Sequence, residues 1–254
     1  GYRLVGNDGA NTMRYVAQSV DPLVLANYSA SIKIGGARFT INSLAAANQH
    51  VWFVTSGGVC DVNALGYSPN LTPYWEKQHD ATLNGEAAIF HNGYVYGSHL
   101  QGLDRVDVAS AIRHDEPGFC GFGTGMSNET PVRGRYTAFT TDNGWLVASI
   151  YDGTDSWICY GKDRRELGVP GPGPIAWFTE IHIAGERVTH LRASKLSATT
   201  ARLWIASITG TTVKLRWASI PLTATPLQEY VNNLNSAGAY TGNHRWATSF
   251  SLYD

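Results

Sequence analysis

The sequence predicts an all-β protein, a β-propeller of about five four-stranded blades, from three observations. First, a short phrase of three bulky residues, one small or β-branched residue and one hydroxyl residue returns at 51–55, 94–98, 145–149 and 203–207. Second, its copies start at intervals close to the period of about 40–50 residues that propeller blades produce. Third, alternating, β-branched and aromatic runs dominate, whereas helical periodicity is best in the short stretch 226–234.

Each copy of the phrase predicts the middle strand of a three-stranded meander. Lead strands are expected at 39–44, 87–90, 137–140 and 189–193, and third strands at 59–62, 103–106, 157–160 and 213–218. Tight turns follow the phrase strands, at Gly57-Gly58, Gln101-Gly102, Asp152-Gly153 and Thr209-Gly210. A less regular fourth strand would complete each blade.

The two ends of the chain each predict part of a further unit. A strand-like run at 13–17 follows the turn Asn7-Asp8-Gly9, and another run spans 240–252. Four whole units and two halves would give a five-bladed ring in which both termini share the closing blade. We therefore expect residues 1–254 to be a single propeller domain that is a segment of a longer chain.

Composition excludes several classes of function. A net charge of −1 without a basic cluster argues against nucleic-acid binding, which needs several Lys or Arg side chains on one face. The apolar runs are short and interrupted, which argues against membrane insertion. Cys60 and Cys159 lie in strand-like runs and are expected to be buried free thiols.

No motif predicts a catalytic residue, a metal site or a cofactor. A Gly-x-Ser-x-Gly elbow and a His-Glu-x-x-His helix are both missing from the sequence. Glu180 and His182 approach metal-ligand spacing, but we expect them to be a pair on an exposed strand face. The run 152–155 has two carboxylates, yet Asp-Gly favours a tight hairpin over a calcium site.

Aromatic residues near one hairpin are the best candidates for binding. Trp157 and Tyr160 follow the Tyr151-Asp152 hairpin, and Trp177 follows the proline- and glycine-rich loop 168–174. Exposed on a propeller face, such residues stack against sugar rings or fill subunit contacts; the alternative is that they pack between blades. The predicted binding residues are Tyr151, Asp152, Trp157, Tyr160 and Trp177.

The sequence resembles a known family over roughly residues 20–220. The stretches 22–35, 39–44 and 51–61 are similar to the opening blade of propeller domains in tail proteins of tailed bacteriophages and prophage-like regions. His79-Asp80, 85–97 and 102–107 resemble the second blade. The resemblance implies a structural virion component of the tail tip, fibre or baseplate. It also implies other tail proteins as partners, homo-oligomeric assembly, recognition of a host-surface glycan or protein, and no cofactor.

Two alternatives remain open. One is a propeller-type carbohydrate-active enzyme, a lyase or glycosidase, whose candidate residues would be Asp61, His99, Asp104 and Asp107, converging at the mouth of the ring. The other is a secreted, extracellular adhesin of the same architecture. We expect the central channel to be lined by the hydroxyls that end the phrase, and not by ionisable catalytic side chains. These hydroxyls belong to Thr55, Ser98, Ser149 and Ser207.

Overall fold

The structure of the protein is a computed structural model. The described residues are 3–7, 11–17, 19–34, 39–47, 50–63, 83–99, 102–109, 113–115, 134–142, 144–167, 175–195, 200–221 and 250–253. They form antiparallel strands, one 3-10 turn at Leu25–Asn27 and one single-turn helix, α1, at Arg164–Leu167. The all-β prediction is confirmed. Within the described ranges, no helix is long and apolar enough to cross a membrane.

The described strands form five antiparallel sheets, each a meander in chain order. The first contains β1 (Arg3–Asn7), β2 (Thr12–Ala17) and β3 (Ile32–Lys33), and the second contains β4 (Ile41–Ala47), β5 (His50–Thr55) and β6 (Gly58–Asn63). The third contains β7 (Ala88–His91), β8 (Tyr94–His99), β9 (Gly102–Asp107) and β10 (Arg113–Asp115). The fourth contains β11 (Arg135–Asp142), β12 (Trp145–Tyr151), β13 (Ser156–Asp163) and β14 (Ile175–Ile183). The fifth contains β15 (Arg187–Lys195), β16 (Thr200–Thr209), β17 (Thr212–Pro221) and β18 (Phe250–Tyr253).

The repeated phrase lies on the second strand of the last four sheets, β5, β8, β12 and β16, as the sequence predicts. The strands group into two compact units, residues 1–100 with 104–115, and residues 101–103 with 116–254. The assignment of 1–254 to a single propeller domain stays a prediction.

The terminal strands differ from the expectation that both ends share one closing blade. β1 and β2 pair over five residues and are joined by β3, so the N-terminal strands make a sheet of their own. β18 pairs instead with β17, whose edge would otherwise be left without a partner strand. The shared closing blade is therefore wrong for the described strands.

A β-bulge recurs where the first strand faces the end of the phrase. The strand register skips Asn42 in β4, Thr137 in β11 and Thr189 in β15, in each case beside Thr55, Ser149 or Ser207. A bulge increases the local twist and re-aims the side chains that follow it. In all three sheets the bulge lies next to the hydroxyl residue that ends the phrase, so the repeat extends to the backbone geometry within one residue.

Apolar side chains pack between neighbouring sheets inside each unit. In the first unit, Met13, Ile41 and Phe53 join the first and second sheets, and Trp52, Val54 and Val95 join the second and third. In the second unit, buried residues of the fourth and fifth sheets form one core, which includes Trp145, Val147, Ile158, Tyr160, Leu191, Leu203 and Ile205. Cys60 and Cys159 are buried free thiols, as predicted.

Three of the four hydroxyls that end the phrase form hydrogen bonds within their own sheet or with the neighbouring turn. Thr55 Oγ1 donates to the Gly58 carbonyl at 2.8 Å, and Ser98 Oγ accepts from the backbone N–H of Ala87 at 2.9 Å. Ser207 Oγ donates to a Glu186 carboxylate oxygen at 2.6 Å. All four hydroxyl residues are buried. That they line a channel stays a prediction.

Candidate functional site

The turn between β12 and β13 is organised by its own first carboxylate. Asp152 Oδ1 accepts hydrogen bonds from the backbone N–H groups of Thr154 and Asp155, each at 2.8 Å. The backbone N–H of Asp152 donates to the Asp155 carbonyl at 3.1 Å. Gly153 takes a φ of 111°, a conformation that other residues rarely adopt. The sequence therefore folds this turn locally, and the predicted hairpin is confirmed.

Next to this turn, Trp157 and His182 stack on each other. The two residues lie directly opposite on β13 and β14, with ring centroids 4.0 Å apart and ring planes inclined by 16°. Trp157 Nε1 donates to Asp152 Oδ2 at 3.2 Å, and His182 Nε2 lies 2.7 Å from Asp155 Oδ2. Each ring of the stack is thus held by one carboxylate. We call Asp152, Asp155, Trp157 and His182 the hairpin cluster.

Asp155 also ties the cluster to a second turn. Its Oδ1 accepts from the backbone N–H of Gly185, in the turn between β14 and β15, at 2.8 Å. One carboxylate consequently joins two neighbouring turns of the second unit. Because this geometry is set by hydrogen bonds on both oxygens, the stack is ordered before any ligand arrives.

Both carboxylates of the cluster favour the ionised form. The Gly185 N–H and the His182 ring hold the pKa of Asp155 below its ordinary value of 3.8. Burial raises the pKa of Asp152, but the N–H groups of Asp155 and Thr154 and the indole of Trp157 outweigh it, so the net pKa is lowered. An ionised carboxylate only accepts, so His182 Nε2 carries the proton in its bond to Asp155.

The open part of the cluster is aromatic and polar. The His182 side chain is 40% exposed, and Trp157 is partly exposed. Within the described ranges, no hydrogen bond engages Nδ1 of His182. A ligand would meet an aromatic stack, a ring nitrogen and two carboxylates that retain lone pairs.

Tyr151, also predicted to bind, belongs to the same hairpin but to the other side of the sheet. It pairs with Ser156, whereas its neighbour Ile150 pairs with Trp157, and side chains alternate along a strand. Its hydroxyl donates to the Gly153 carbonyl at 2.6 Å. Tyr151 therefore supports the turn, and the structure brings Asp152 and Trp157 together without it.

Tyr160 and Trp177 correct the sequence prediction of exposed aromatics. Tyr160 is 1% exposed and lies in the core between the fourth and fifth sheets. Trp177 is 5% exposed and lies opposite Gly161, whose missing side chain leaves room for the indole. Both are packing residues, the alternative that the sequence left open for each aromatic.

The expected exposed pair of Glu180 and His182 is also wrong. The β13–β14 register skips Glu180, so the regular alternation that would place both side chains on one face is broken there. Glu180 is 1% exposed, and His182 faces solvent beside Asp155. In the part of the chain that the structure describes, no group of three or more His, Cys, Asp or Glu side chains is arranged to hold a metal ion.

The sequence predicts Asp155 as part of a tight hairpin and His182 as half of an exposed pair with Glu180, and it does not predict their contact. The missed signal is the strand register, because pairing β13 with β14 sets His182 opposite Trp157. β13 and β14 are separated in the sequence by α1 and residues 168–174, so their register cannot be inferred from a local pattern.

Of the four residues considered for an enzyme, the structure shows two in contact with each other. His99 Nε2 lies 3.6 Å from Asp104 Oδ1, and both side chains are buried. Asp107 Oδ1 accepts from the backbone N–H of Ala109 at 2.8 Å and so caps a turn. The side chain of Asp61 lies outside the described part of the structure.

No protein-family model matches the sequence, and no curated protein matches it either. Among solved structures, the chain is similar to PorZ, an essential bacterial surface component of the type-IX secretion system of Porphyromonas gingivalis. The TM-score is 0.42 and the identity 15%, over 84% of this chain and 37% of that one. The chain thus spans well under half of the PorZ chain, and a likeness of this size carries no argument about function.

Proposed function

We propose that this chain is a structural, carbohydrate-binding module of a phage tail, whose sheets are arranged as propeller blades that display the hairpin cluster to a host surface. The observation that carries the binding role is the Trp157–His182 stack, with each ring fixed by a carboxylate. The tail assignment rests on the resemblance over roughly residues 20–220. The partners it implies are other tail proteins and further copies of this chain.

The cluster has the chemistry that sugars require. Sugar rings pack their C–H faces on aromatic side chains, while their hydroxyls donate to carboxylates and bond to ring nitrogens. Here the aromatic rings are held in place by Asp152 and Asp155, so little side-chain freedom is lost on binding. Pre-ordering of this kind supports recognition of a neutral saccharide by a small exposed site.

A propeller arrangement is supported by the repetition of the sheets. Four successive meanders carry the phrase on their second strand, and three of them have a bulge next to the hydroxyl residue that ends it. Inside each unit, sheets that follow each other in the chain share a core. Consecutive antiparallel meanders packed face to face are the building plan of propeller blades.

The binding role is tested with neutral oligosaccharides of glucose, galactose, mannose and N-acetylhexosamines, titrated calorimetrically against the whole chain. We expect at least one to bind, and Trp157→Ala to weaken it about ten-fold or more, as the loss of an aromatic contact does. Phe90→Ala is the matched control, because Phe90 is an exposed aromatic on β7 in the first unit. Equal affinity of the Trp157→Ala variant and the parent protein would rule out this site.

The tail assignment is tested by imaging native particles labelled with an antibody against this chain. Several labelled copies at the end of a tubular tail are expected. A free, unassembled chain would overturn the virion role and favour the secreted adhesin.

A carbohydrate-active enzyme is the second candidate, favoured by the hydrogen bond between Asp155 and His182. A histidine oriented by an ionised carboxylate is suited to move protons. Release of new sugar ends from the same oligosaccharides, abolished by His182→Ala, would select this function over simple binding.

A further inference from the structure

The fifth sheet has one buried face and one partly open face. Along β16, Ala201, Leu203 and Ile205 are buried in the core of the second unit, while the residues between them are only partly covered. On that second face, Trp204 lies directly opposite Trp217 on β17 and opposite Arg192 on β15. Arg202 follows on the same face, two residues before Trp204. We call Arg192, Arg202, Trp204 and Trp217 the arginine–tryptophan face.

Arg202 is held by aromatic rings instead of carboxylates. Its Cζ lies 4.2 Å from the ring centroid of Trp217 and 5.5 Å from that of Trp204. Trp204 is itself fixed, since its Nε1 donates to Ser194 Oγ at 3.1 Å. A guanidinium packed on indoles keeps its N–H edge available for an anion.

The charged residues on three strands of this sheet are all basic. Strands β15, β16 and β17 contain no Asp or Glu, but they contain six basic residues, Arg187, Arg192, Lys195, Arg202, Lys214 and Arg216. Lys214 and Arg216 bind Glu186 from the buried side. Among the described residues, no carboxylate pairs with Arg192 or Arg202, and the Nε of Arg202 is buried without a hydrogen bond. Two arginines on one open face thus have no acidic partner within the described strands and turns.

We propose that the arginine–tryptophan face binds an acidic saccharide, with Arg202 and Arg192 pairing with a sugar carboxylate and Trp204 and Trp217 packing against its ring. Guanidinium groups match carboxylates in two-pronged hydrogen bonds, and indoles match the apolar faces of sugars. The site lies on a different sheet from the hairpin cluster and takes a charged sugar instead of a neutral one, so it goes beyond the proposed function.

Two other occupants fit the face less well. A nucleic acid requires many phosphates to be neutralised, whereas the described residues of this face provide two arginines without a carboxylate partner. A second copy of the chain would bring the same basic face against itself, which like charges oppose. Val213 and Leu215, 68% and 43% exposed, continue the face as an apolar margin that a sugar chain can lie along.

The experiment compares an oligogalacturonate with its methyl ester, which has the same sugars without the charges, by calorimetric titration of the whole chain. The acid form should bind and the ester should not, and added salt should weaken the binding. Arg202→Gln and Arg192→Gln should each weaken it about five-fold or more, the loss of one charged contact. Arg165→Gln, at an 83% exposed arginine side chain on α1, makes the same charge change elsewhere and should leave the affinity unchanged.

Arg192 is exposed and does not belong to the buried core of the second unit, so its variant keeps the test valid if Arg202→Gln disturbs the two indoles. Equal binding of the ester, or unchanged affinity of the Arg192→Gln protein, overturns the proposal. It is also overturned if a single-stranded oligonucleotide of equal charge binds more tightly, or if the face mediates dimers that Trp217→Ala dissociates. Because neutral and acidic sugars are titrated separately, the proposal for this face and the proposal for the hairpin cluster are tested independently of each other.

Discussion

Glu186 and Arg216 form a two-pronged ion pair, in which both carboxylate oxygens bind guanidinium nitrogens. Ser207 Oγ and Lys214 Nζ donate to the same carboxylate at 2.6 and 2.8 Å. The Glu186 carbonyl meanwhile accepts from Ser156 Oγ of the fourth sheet at 2.8 Å. One residue in the turn between β14 and β15 therefore connects the two sheets of the second unit.

Removing the charge of Glu186 should destabilise the fold. Glu186→Gln leaves Arg216, which is 8% exposed, as a buried cation without a counter-charge. We expect the free energy of unfolding in urea to fall by about 2–4 kcal/mol. Glu166→Gln, at a 49% exposed side chain 3.4 Å from Lys162 Nζ, is the control and should change it by less than about 0.5 kcal/mol. Equal effects of the two substitutions would show that the network does not stabilise the protein.

The same network predicts how stability depends on acid. The hydrogen bond from Arg216 lowers the pKa of Glu186 from 4.5 to about 2. Since the pKa is lower in the folded state, the stabilisation is complete above pH 4.5 and is lost as the pH falls towards about 2. The difference in unfolding free energy between the parent protein and Glu186→Gln should shrink across that window. Urea titrations at several pH values measure it, and a constant difference would contradict the assigned pKa.

The strands of the repeat were predictable because their signal is local. The second strands of four sheets can be predicted from bulky runs, turn glycines and period-two alternation, without knowing which strands they pair with. Alternation also tells which residues share a face, but not which face is covered. For that reason the sequence names Trp157, Tyr160 and Trp177 alike as candidate binding residues, although Trp157 is partly exposed and the other two are buried.

The charged contacts were not predictable, because they depend on register and on contacts between sheets. Glu186 meets Arg216 across 30 positions of sequence, and Asp155 meets His182 across 27. The bulge at Glu180 adds one residue to β14 and so changes which side chains reach the surface. A single added residue of this kind leaves no recognisable mark in the sequence.

Replacing two buried serines of the fourth sheet by alanine should have unequal effects on stability. Ser156 Oγ donates to the Glu186 carbonyl and accepts from the Val188 N–H, both at 2.8 Å, so Ser156→Ala leaves both groups unsatisfied. Ser149 Oγ has no hydrogen-bond partner among the described residues. We expect Ser156→Ala to lower the unfolding free energy by about 1–3 kcal/mol and Ser149→Ala to change it by less than about 0.5 kcal/mol. Similar losses for both would mean that the bridge between the sheets contributes nothing beyond packing.

Gly161 should be essential for the position of Trp177. A Cβ at residue 161 would lie 2.6 Å from the Trp177 ring and 2.7 Å from Ile175 Cγ2, so Gly161→Ala forces the indole to move. We expect a loss of about 1–3 kcal/mol in unfolding free energy and a changed near-ultraviolet circular dichroism spectrum. Trp177→Leu removes the obstructing ring but leaves the contact with Ile175, so in the double variant Gly161→Ala should cost less than it does in the parent protein. Strictly additive losses in this cycle would show that the glycine is required for a reason other than the indole.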